Sequence, residues 1–290
     1  MNLVIHMRRR ENAFDPEAFP QMVWMTNLFS RATHNLVLGR QLAEANARLD
    51  AEQRAIGDIQ RSLLPAAPPS IPGLDCVVHY RASGRAGGDY YDFFPLDDGS
   101  VGVLIADVSG HGTPAAVIMA ITHALTHLHG GPSHEPCDLL AFLNRHLTER
   151  YTGGSGTFVS ALYGVYHPHS RRFVHSVAGH PQPRVVDVHG APRTTPDPDI
   201  GLALGIDEEA RYEDRVLQLQ PGDRMLLFTD GANETRAADG ELFGTQRLDA
   251  LLAQEGTAAA LRDGLVHALG AFAGADQELD DLTLLVFRAH

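Results

Sequence analysis

The stretch that decides the fold is Gly87-Gly88-Asp89-Tyr90-Tyr91-Asp92-Phe93-Phe94, followed after a turn by Val101-Gly102-Val103-Leu104-Ile105-Ala106-Asp107-Val108-Ser109-Gly110-His111-Gly112. Aromatic and β-branched residues dominate both apolar runs, so the stretch predicts a β-hairpin. Carboxylates stand at the ends of the runs, beside glycines that allow backbone and ligand to come close. This pattern suits a hard divalent cation, and it is equally typical of two surface turns in which Asp and Gly form local hydrogen bonds. The stretch alone leaves both interpretations open.

The overall composition limits the classes of partner. The chain has 290 residues, a hydrophobic fraction of 44% and a formal net charge of −13, and this acidic balance argues against sequence-independent binding of nucleic acid. The two cysteines, Cys76 and Cys137, match no metal-ligand spacing and favour a reducing compartment. No apolar run approaches the ~20 residues needed to span a bilayer, and the N-terminus lacks the order of a secretory signal. We expect a cytoplasmic protein with no nucleic-acid or membrane partner.

The N-terminal part of the chain predicts a long helix. Residues 21–64 contain no proline and only two glycines, and apolar residues recur every seven positions at Leu42, Leu49, Ile56 and Leu63. This spacing indicates a coiled coil and therefore a homodimer, although a single amphipathic helix packed on its own domain is the alternative. The proline-rich residues 65–73 then end the helix and form a stiff spacer. We expect segment 1–64 to be a signalling and dimerisation linker, and 74–290 to be a separate domain.

Beyond the spacer the pattern predicts an α+β domain. Short apolar runs follow one another at hairpin spacing, and helical segments are inserted at 114–129, 137–151 and 248–269. Runs joined in this way favour antiparallel sheets covered by helices.

Three acids in this domain share one context, because Asp107, Asp230 and Asp280 each border a strongly apolar strand. Acids beside buried strands are costly to desolvate unless a cation compensates them. Strand ends that meet at one edge could hold two divalent ions, and oxygen-only ligands select Mg²⁺ or Mn²⁺. Two such ions can lower the pKa of a water that bridges them and hold a phosphoryl group for in-line attack, which suits hydrolysis of phosphate esters.

Six motifs in order give a specific resemblance over residues 59–287. The chain resembles the metal-dependent PPM (PP2C-type) serine/threonine phosphatases and, within them, the bacterial SpoIIE-like branch that regulates sigma factors by partner switching. The motifs are Gly87-Gly88-Asp89-Tyr90-Tyr91-Asp92, Asp107-Val108-Ser109-Gly110-His111-Gly112, Ala178-Gly179-His180-Pro181, Phe228-Thr229-Asp230-Gly231 with Glu234, Phe243-Gly244, and Asp280-Asp281-Leu282-Thr283. The lead-in Ile59-Gln60-Arg61-Ser62-Leu63-Leu64-Pro65 also matches this branch.

The resemblance implies an α-β-β-α sandwich with two Mn²⁺ or Mg²⁺ ions at one end of its sheets. Asp107 would bridge both ions, with the carbonyl of Val108 and the side chain of Asp89 on the first of them. Asp230 and Asp280 would hold the second ion, and Asp107 and Asp230 would be the catalytic acids. Residues expected to support the ligands from behind, or to replace one of them, are Asp92, His111 and Asp281. Because Asp280 and Asp281 are adjacent, the sequence does not decide which of them is the ligand.

Two features depart from the family pattern. An acid that holds a third metal in some relatives has no clear counterpart in this chain. No arginine matches the one with which eukaryotic PP2C enzymes grip the substrate phosphate, so specificity would rest on protein–protein contacts. For His111 a site role and a loop-packing role are equally favoured. For His180, between Gly179 and Pro181, the structural role is favoured.

The predicted function is that of a metal-dependent protein phosphatase acting on phosphoserine or phosphothreonine. The resemblance implies a phosphorylated STAS-type anti-sigma-factor antagonist as substrate. One alternative is a non-catalytic regulator of the same fold, against which the clustered carboxylates argue. The other is a hydrolase of small phosphate esters, against which the helical linker argues.

Overall fold

The computed structural model describes residues 17–128, 135–154, 156–193, 200–274 and 280–290. It divides into two units, one up to Gln53 and one from Arg54 to His290. The boundary lies inside helix α1 (Phe19–Leu63), so the last turns of this helix belong to the second unit, ahead of the proline-rich residues 65–73. The predicted long helix is confirmed. Residues 190–199 contain three prolines, which predict a loop, and 194–199 of that segment lie outside the described residues.

In the first unit, helix α1 exposes many apolar side chains. Leu42 is 63% exposed and Leu49 is 58% exposed, although both would be expected inside a protein core. Their positions seven residues apart place them on the same side of the helix. The described part of this unit contributes no cover for them, since it consists of this helix.

The second unit is built on two antiparallel sheets. The four-stranded sheet has the order β1-β9-β8-β6, and the five-stranded sheet has the order β2-β3-β4-β5-β7. The strands are β1 (Leu74–Arg81), β2 (Tyr90–Pro95), β3 (Val101–Val108), β4 (Val159–His167), β5 (Arg172–Ala178), β6 (Arg184–Val186), β7 (Arg215–Gln218), β8 (Arg224–Phe228) and β9 (Leu282–Ala289). The predicted hairpin is β2–β3, with Tyr90 opposite Ala106.

Helices cover the outer faces of both sheets. They are α2 (Thr113–Leu128), α3 (Pro136–Leu147), the short α4 (Asp230–Asn233), α5 (Gly244–Leu252) and α6 (Ala258–Phe272), and a π-helical turn (Thr148–Thr152) continues α3. The helices predicted at 114–129, 137–151 and 248–269 are therefore confirmed in kind, with ends displaced by a few residues. None of the helices in the described ranges is both long and apolar enough to cross a bilayer.

Side chains that alternate along the strands produce the layers. In β8, Met225 and Leu227 face the other sheet, while Leu226 and Phe228 face α5 and α6. In β2, Tyr91 and Phe93 enter the core between the sheets, and Tyr90 packs towards α2 and α3. This period-two alternation is what a strand buried on both faces requires. It produces the α-β-β-α sandwich that the sequence predicted.

One boundary differs from the sequence prediction. Strand β9 begins at Leu282, whereas Asp280 was expected to open it. The backbone N–H of Asp281 donates to the side chain of Asp280 at 2.8 Å instead of joining the ladder. Asp280 and Asp281 therefore lie ahead of the strand, where both carboxylates make other contacts.

Candidate metal centre

The turn before β2 carries Asp89, which is completely buried. Its Oδ2 atom accepts hydrogen bonds from Thr229 Oγ1 at 2.8 Å, directly after β8, and from Thr283 Oγ1 at 2.5 Å, in β9 of the other sheet. Its Oδ1 atom has no hydrogen-bond partner in the described part of the chain. Burial raises the pKa of Asp89 well above the ordinary value of 3.8, and the charge of Asp281 raises it further. A buried acid with one unsatisfied oxygen requires a proton or a cation.

Asp107 lies near the end of β3, opposite Ser160 of β4. Burial raises its pKa far above the ordinary value, and the charges of Asp89, Asp230, Asp280 and Asp281 add to the effect. The mutual effect of these groups on one another shows that the five acids form one electrostatic cluster. When ionised, the carboxylates of such a cluster repel one another unless a positive charge lies among them.

Asp230 is the first residue of helix α4, directly after β8. Burial raises its pKa to about 6, with further contributions from Glu234 and Asp280. Gly231, the next residue, is required here because a Cβ would lie 2.0 Å from the backbone oxygen of Asp281. The turn that carries Asp230 is thereby held tightly against the segment that carries Asp280 and Asp281.

Asp280 and Asp281 face different surroundings. Asp280 is exposed and lines the main cavity. Asp281 is buried and accepts hydrogen bonds from the backbone N–H groups of Ser83 and Gly88, each at 2.5 Å. Asp281 therefore fixes the turn that leads to Asp89, and Asp280 is the acid of this pair that lines the cavity.

Gly88 allows the turn that bears Asp89 to lie close to Asp107 and Val108 at the end of β3. A Cβ at this position would lie 2.6 Å from the carbonyl oxygen of Val108 and 3.1 Å from Asp107 Oδ1. The oxygen atoms of Val108 and Asp107 are thus held against the backbone of the turn that bears Asp89. A side chain in place of Gly88 would fill the space where these oxygens converge.

These carboxylates open into a cavity of about 580 Å³. Its lining includes the predicted residues Asp107, Val108, Asp230 and Asp280, together with polar residues to which the sequence assigned no role: Ser160, Gln182, Arg184, Asn233 and Thr245. The guanidinium of Arg184 is paired with Asp249, with Nε 2.7 Å from Oδ1. The cavity is therefore lined by carboxylates at one end and by polar side chains along its wall.

The remaining predicted site residues fall at different places. His111 is exposed on the turn after β3, next to the cavity-lining Gly110. His180 is fully buried in the cavity wall, with Nδ1 2.9 Å from Ser160 Oγ, and burial lowers its pKa to about 3. Asp92 was expected to support the carboxylates. Instead it contacts Tyr90, His123 and His127, because the alternation of β2 directs it towards α2.

Supporting residues were missing from the sequence prediction. Thr229 and Thr283 cradle Asp89, although both lay inside the motifs of the resemblance. Gln60 of α1 pairs with the backbone of Gly87, its Nε2 donating to the carbonyl at 2.6 Å and its Oε1 accepting from the N–H at 3.0 Å. A glutamine near a helix end is an ordinary surface residue in sequence, so Gln60, although part of the lead-in quoted for the resemblance, had no role assigned before its burial was known.

The residues present fit a pair of hard divalent cations. The cluster supplies carboxylate and carbonyl oxygens, the donors that Mg²⁺ and Mn²⁺ prefer. The unsatisfied oxygen of Asp89 and the raised pKa values of Asp89, Asp107 and Asp230 mark a site whose acids need compensating positive charge to remain ionised.

Comparison with solved structures gives the class to which the fold belongs. The SiaA-PP2C domain of Pseudomonas aeruginosa has a TM-score of 0.70 at 20% identity, covering 85% of this chain and 99% of that domain. The RsbU and RsbW domains of a Mycobacterium tuberculosis protein give a TM-score of 0.64 at 24% identity, covering 79% of this chain and 63% of that one. The sandwich is thus the PP2C phosphatase fold.

The family follows from the sequence comparison. The family described as Stage II sporulation protein E (SpoIIE) matches residues 97–290, and the chain belongs to it. The phosphoserine phosphatase RsbU of Bacillus subtilis is 30% identical over 198 residues, which cover 67% of this chain and 57% of that protein. The chain spans about half the length of the curated relatives it matches.

Proposed function

We propose that this chain is a Mn²⁺- or Mg²⁺-dependent phosphatase of phosphoserine and phosphothreonine in proteins. The observation that carries the proposal is the convergence of Asp89, Asp107, Asp230 and Asp280 at one end of the two sheets, beside an open cavity. A binding surface for a protein partner has no physical need for a cluster of mutually repelling acids, one of which, Asp89, is completely buried. The non-catalytic alternative is therefore the weaker of the two.

The ligand assignment that fits the contacts uses five residues. Asp107, the carbonyl of Val108 and Asp89 would hold one ion, and Asp230 and Asp280 would complete the second, with Asp107 shared. Asp281 is left out because its two oxygens already accept the N–H groups of Ser83 and Gly88. When bound, the ions supply a water of lowered pKa and positive charge beside the phosphoryl group.

The residues around the site hold the ligand oxygens in position and leave the buried histidine of the cavity wall uncharged. Thr229 and Thr283 hold the carboxylate of Asp89 in one orientation, and the backbone of Gly88 keeps the oxygens of Asp107 and Val108 close to it. Because burial lowers the pKa of His180 to about 3, this residue stays neutral at ordinary pH and adds no competing positive charge to the wall. The cavity is open to solvent and Asp280 in its lining is exposed, which would admit the phosphorylated side chain of another protein.

The relatives favour a protein substrate in a regulatory pathway. One curated relative is named a phosphoserine phosphatase, and one solved relative joins RsbU and RsbW domains in a single protein. We extend this to a phosphorylated STAS-type antagonist of an anti-sigma factor as the substrate of this chain. The unpaired thiols of Cys76 and Cys137 are consistent with a reducing cytoplasmic setting.

We also infer a role for the helical segment. The apolar side chains of Leu42 and Leu49 are exposed seven residues apart, which favours pairing with the same helix of a second copy. At the other end of α1, Gln60 is bonded to the turn before Asp89. We therefore assign segment 1–64 to dimerisation and signalling, 65–73 to a spacer and 74–290 to the phosphatase domain.

The decisive test compares three phosphorylated substrates after chelation and reloading with Mn²⁺. We expect release of phosphate from a phosphoserine STAS protein, with far slower release from free phosphoserine. Comparable rates on both would favour the small-ester hydrolase, because no protein contact would contribute. Tight binding of the phosphoprotein without turnover at any metal concentration would favour the non-catalytic regulator. A phosphotyrosine protein serves as the matched control and should react poorly.

A further inference from the structure

A second cluster of metal-ligating side chains lies away from the carboxylate centre. It consists of Asp92 on β2 and of His123 and His127 on α2, and we call it the Asp–His cluster. The ligating atoms of the three residues all lie within 4.8 Å of one another. His127 Nε2 is 2.9 Å from Asp92 Oδ2, and His123 Nδ1 is 3.7 Å from the same oxygen.

We propose that the Asp–His cluster binds one transition-metal ion, with Zn²⁺ as the best match. Two imidazoles and one carboxylate form a donor set that suits Zn²⁺ and differs in kind from the oxygen-only set of the carboxylate centre. The two histidines are four residues apart in a helix, which places them on the same face. The same i, i+4 spacing of two histidines on a helix supports zinc in other protein folds.

The distances are close to those of a tetrahedral site. Zinc bonds of about 2.0–2.2 Å to nitrogen and oxygen imply ligand atoms roughly 3.3–3.5 Å apart. The observed separations of 2.9 and 3.7 Å from Asp92 Oδ2 bracket this range. Both histidine nitrogens thus lie close to the required separation from Asp92 Oδ2, and all three atoms lie within 4.8 Å of one another.

The residues around the Asp–His cluster orient its side chains and leave a path by which an ion can enter. Tyr90 donates its hydroxyl to Asp92 Oδ2 at 2.7 Å and lies 3.0 Å from His123 Nδ1, and the backbone N–H of Phe93 donates to Asp92 Oδ1 at 2.7 Å. These contacts hold the carboxylate and one imidazole in a fixed orientation. Burial lowers the pKa of His123, which keeps this imidazole in the neutral form that binds metals. A cavity of about 300 Å³ opens onto Asp92, His123 and His127 and gives an ion a path from solvent.

This site would be independent of catalysis. It shares no residue with the carboxylate centre, and it does not rest on the proposed phosphatase activity. The cavity in front of it is also lined by Leu63, Leu64 and Pro65, where α1 ends. A bound ion would clamp α2 to β2 beside that end of the helix.

The test is a titration with Co²⁺, a coloured substitute for Zn²⁺, on the full chain in excess Mg²⁺. Tetrahedral nitrogen-containing sites give intense visible absorption, whereas six-coordinate oxygen sites give weak absorption. We expect intense bands in the wild type, their loss when Zn²⁺ is added, and their absence in His123→Gln/His127→Gln. The bands should persist in Asp107→Asn and in the matched control His146→Gln, a histidine of α3 that contacts the carbonyl of Phe142.

Removal of a residue that hydrogen-bonds a metal ligand lowers metal affinity by roughly 10–100-fold. The double variant loses two ligands, so its Co²⁺ affinity should fall by more than that. Absence of intense bands in the wild type would overturn the proposal, as would equal bands in the double variant. If the double variant fails to fold, as judged by its melting curve without metal, His127→Gln alone decides. The His127 side chain is half-exposed, so this replacement should keep the fold and still weaken Co²⁺ binding at least about tenfold.

Discussion

The carboxylate of Asp89 joins the two sheets at the candidate metal centre. It belongs to the turn before β2, yet its hydroxyl partners Thr229 and Thr283 lie at β8 and β9 of the other sheet. Hydrogen bonds to an ionised group are among the stronger ones in proteins, and they fix which oxygen points towards the metal position. The orientation of one side chain therefore depends on the packing of both sheets.

Replacement of Thr283 tests this dependence. Thr283→Val keeps the shape of the side chain and removes the 2.5 Å hydrogen bond to Asp89. We expect Mg²⁺ affinity, measured by calorimetric titration, to fall roughly 10–100-fold, because a partner of a metal ligand is lost. The control Thr126→Val removes a buried hydroxyl that bonds only to its own helix at Thr122 and should leave the affinity unchanged. Equal affinity in both variants would show that Asp89 is not a ligand.

His175 gives a pH prediction that is separate from the metal centre. Burial lowers its pKa to about 4 in the folded protein, below the 6.5 of an unperturbed histidine. The unfolded chain therefore binds a proton more readily, so the contribution of His175 is fully present above pH 6.5 and is lost as pH falls towards 4. Between pH 7 and 5 the wild type should lose on the order of 1–2 kcal/mol more unfolding free energy than His175→Gln does. Urea unfolding at the two pH values measures this difference, and parallel losses would contradict it.

At the scale of elements, the last turns of α1 are fitted to the turn that precedes Asp89. Gly57 is buried, and a Cβ there would lie 1.9 Å from the carbonyl oxygen of Arg85. One turn further, Gln60 makes its paired hydrogen bonds with Gly87. The helix end thus lies against the backbone that positions the candidate metal ligands.

Two glycine-to-alanine replacements in α1 separate this contact from helix propensity. In a free helix, alanine is more favourable than glycine by roughly 1 kcal/mol. A Cβ at Gly39 would meet no described atom within 4 Å, so Gly39→Ala should be neutral or slightly stabilising. Gly57→Ala should lower the melting temperature and the phosphatase rate, because the helix end must move away from Arg85. Identical melting temperatures would contradict the observed contact.

Much of this arrangement of elements was predictable from the sequence. The β2–β3 hairpin and the helices of 114–129 and 137–151 followed from apolar periodicity, which depends on local residue order. The start of β9 was not predictable, because it depends on the bonds of Asp281 to Ser83 and Gly88, nearly 200 positions earlier in the chain. Long-range contacts of this kind leave no local pattern.

At the candidate metal centre, too, some residues were predictable from local sequence and others depended on long-range contacts. The sequence brought Asp107, Asp230 and Asp280 together because each borders an apolar strand, and the structure places them in one cluster. The resemblance added Asp92 as a supporting acid, yet the strand alternation turns Asp92 towards α2. Thr229 and Gln60 lay inside the stretches that carry the resemblance but were assigned no role, since their roles depend on partners from other elements.

At the scale of the whole molecule, charged replacements on the exposed apolar side of α1 test whether this helix mediates self-association. Leu42→Asp/Leu49→Asp places two charges on the exposed apolar side, and we expect a twofold lower mass in light scattering. Ala43→Asp/Ala47→Asp adds the same charge at positions outside the seven-residue repeat and should keep the mass of the wild type. If both variants match the wild type, α1 does not mediate self-association.

The central claim is that the carboxylates at the end of the sheets hold catalytic divalent cations. The measurement that tests it most directly is hydrolysis of an aryl phosphate by the chelated protein, before and after addition of Mn²⁺ or Mg²⁺, in the wild type and in Asp107→Asn. We predict no rate after chelation, recovery with either metal in the wild type, and at least about a 100-fold lower rate in Asp107→Asn at saturating metal. A rate that survives chelation, or an Asp107→Asn variant as active as the wild type, would contradict the account.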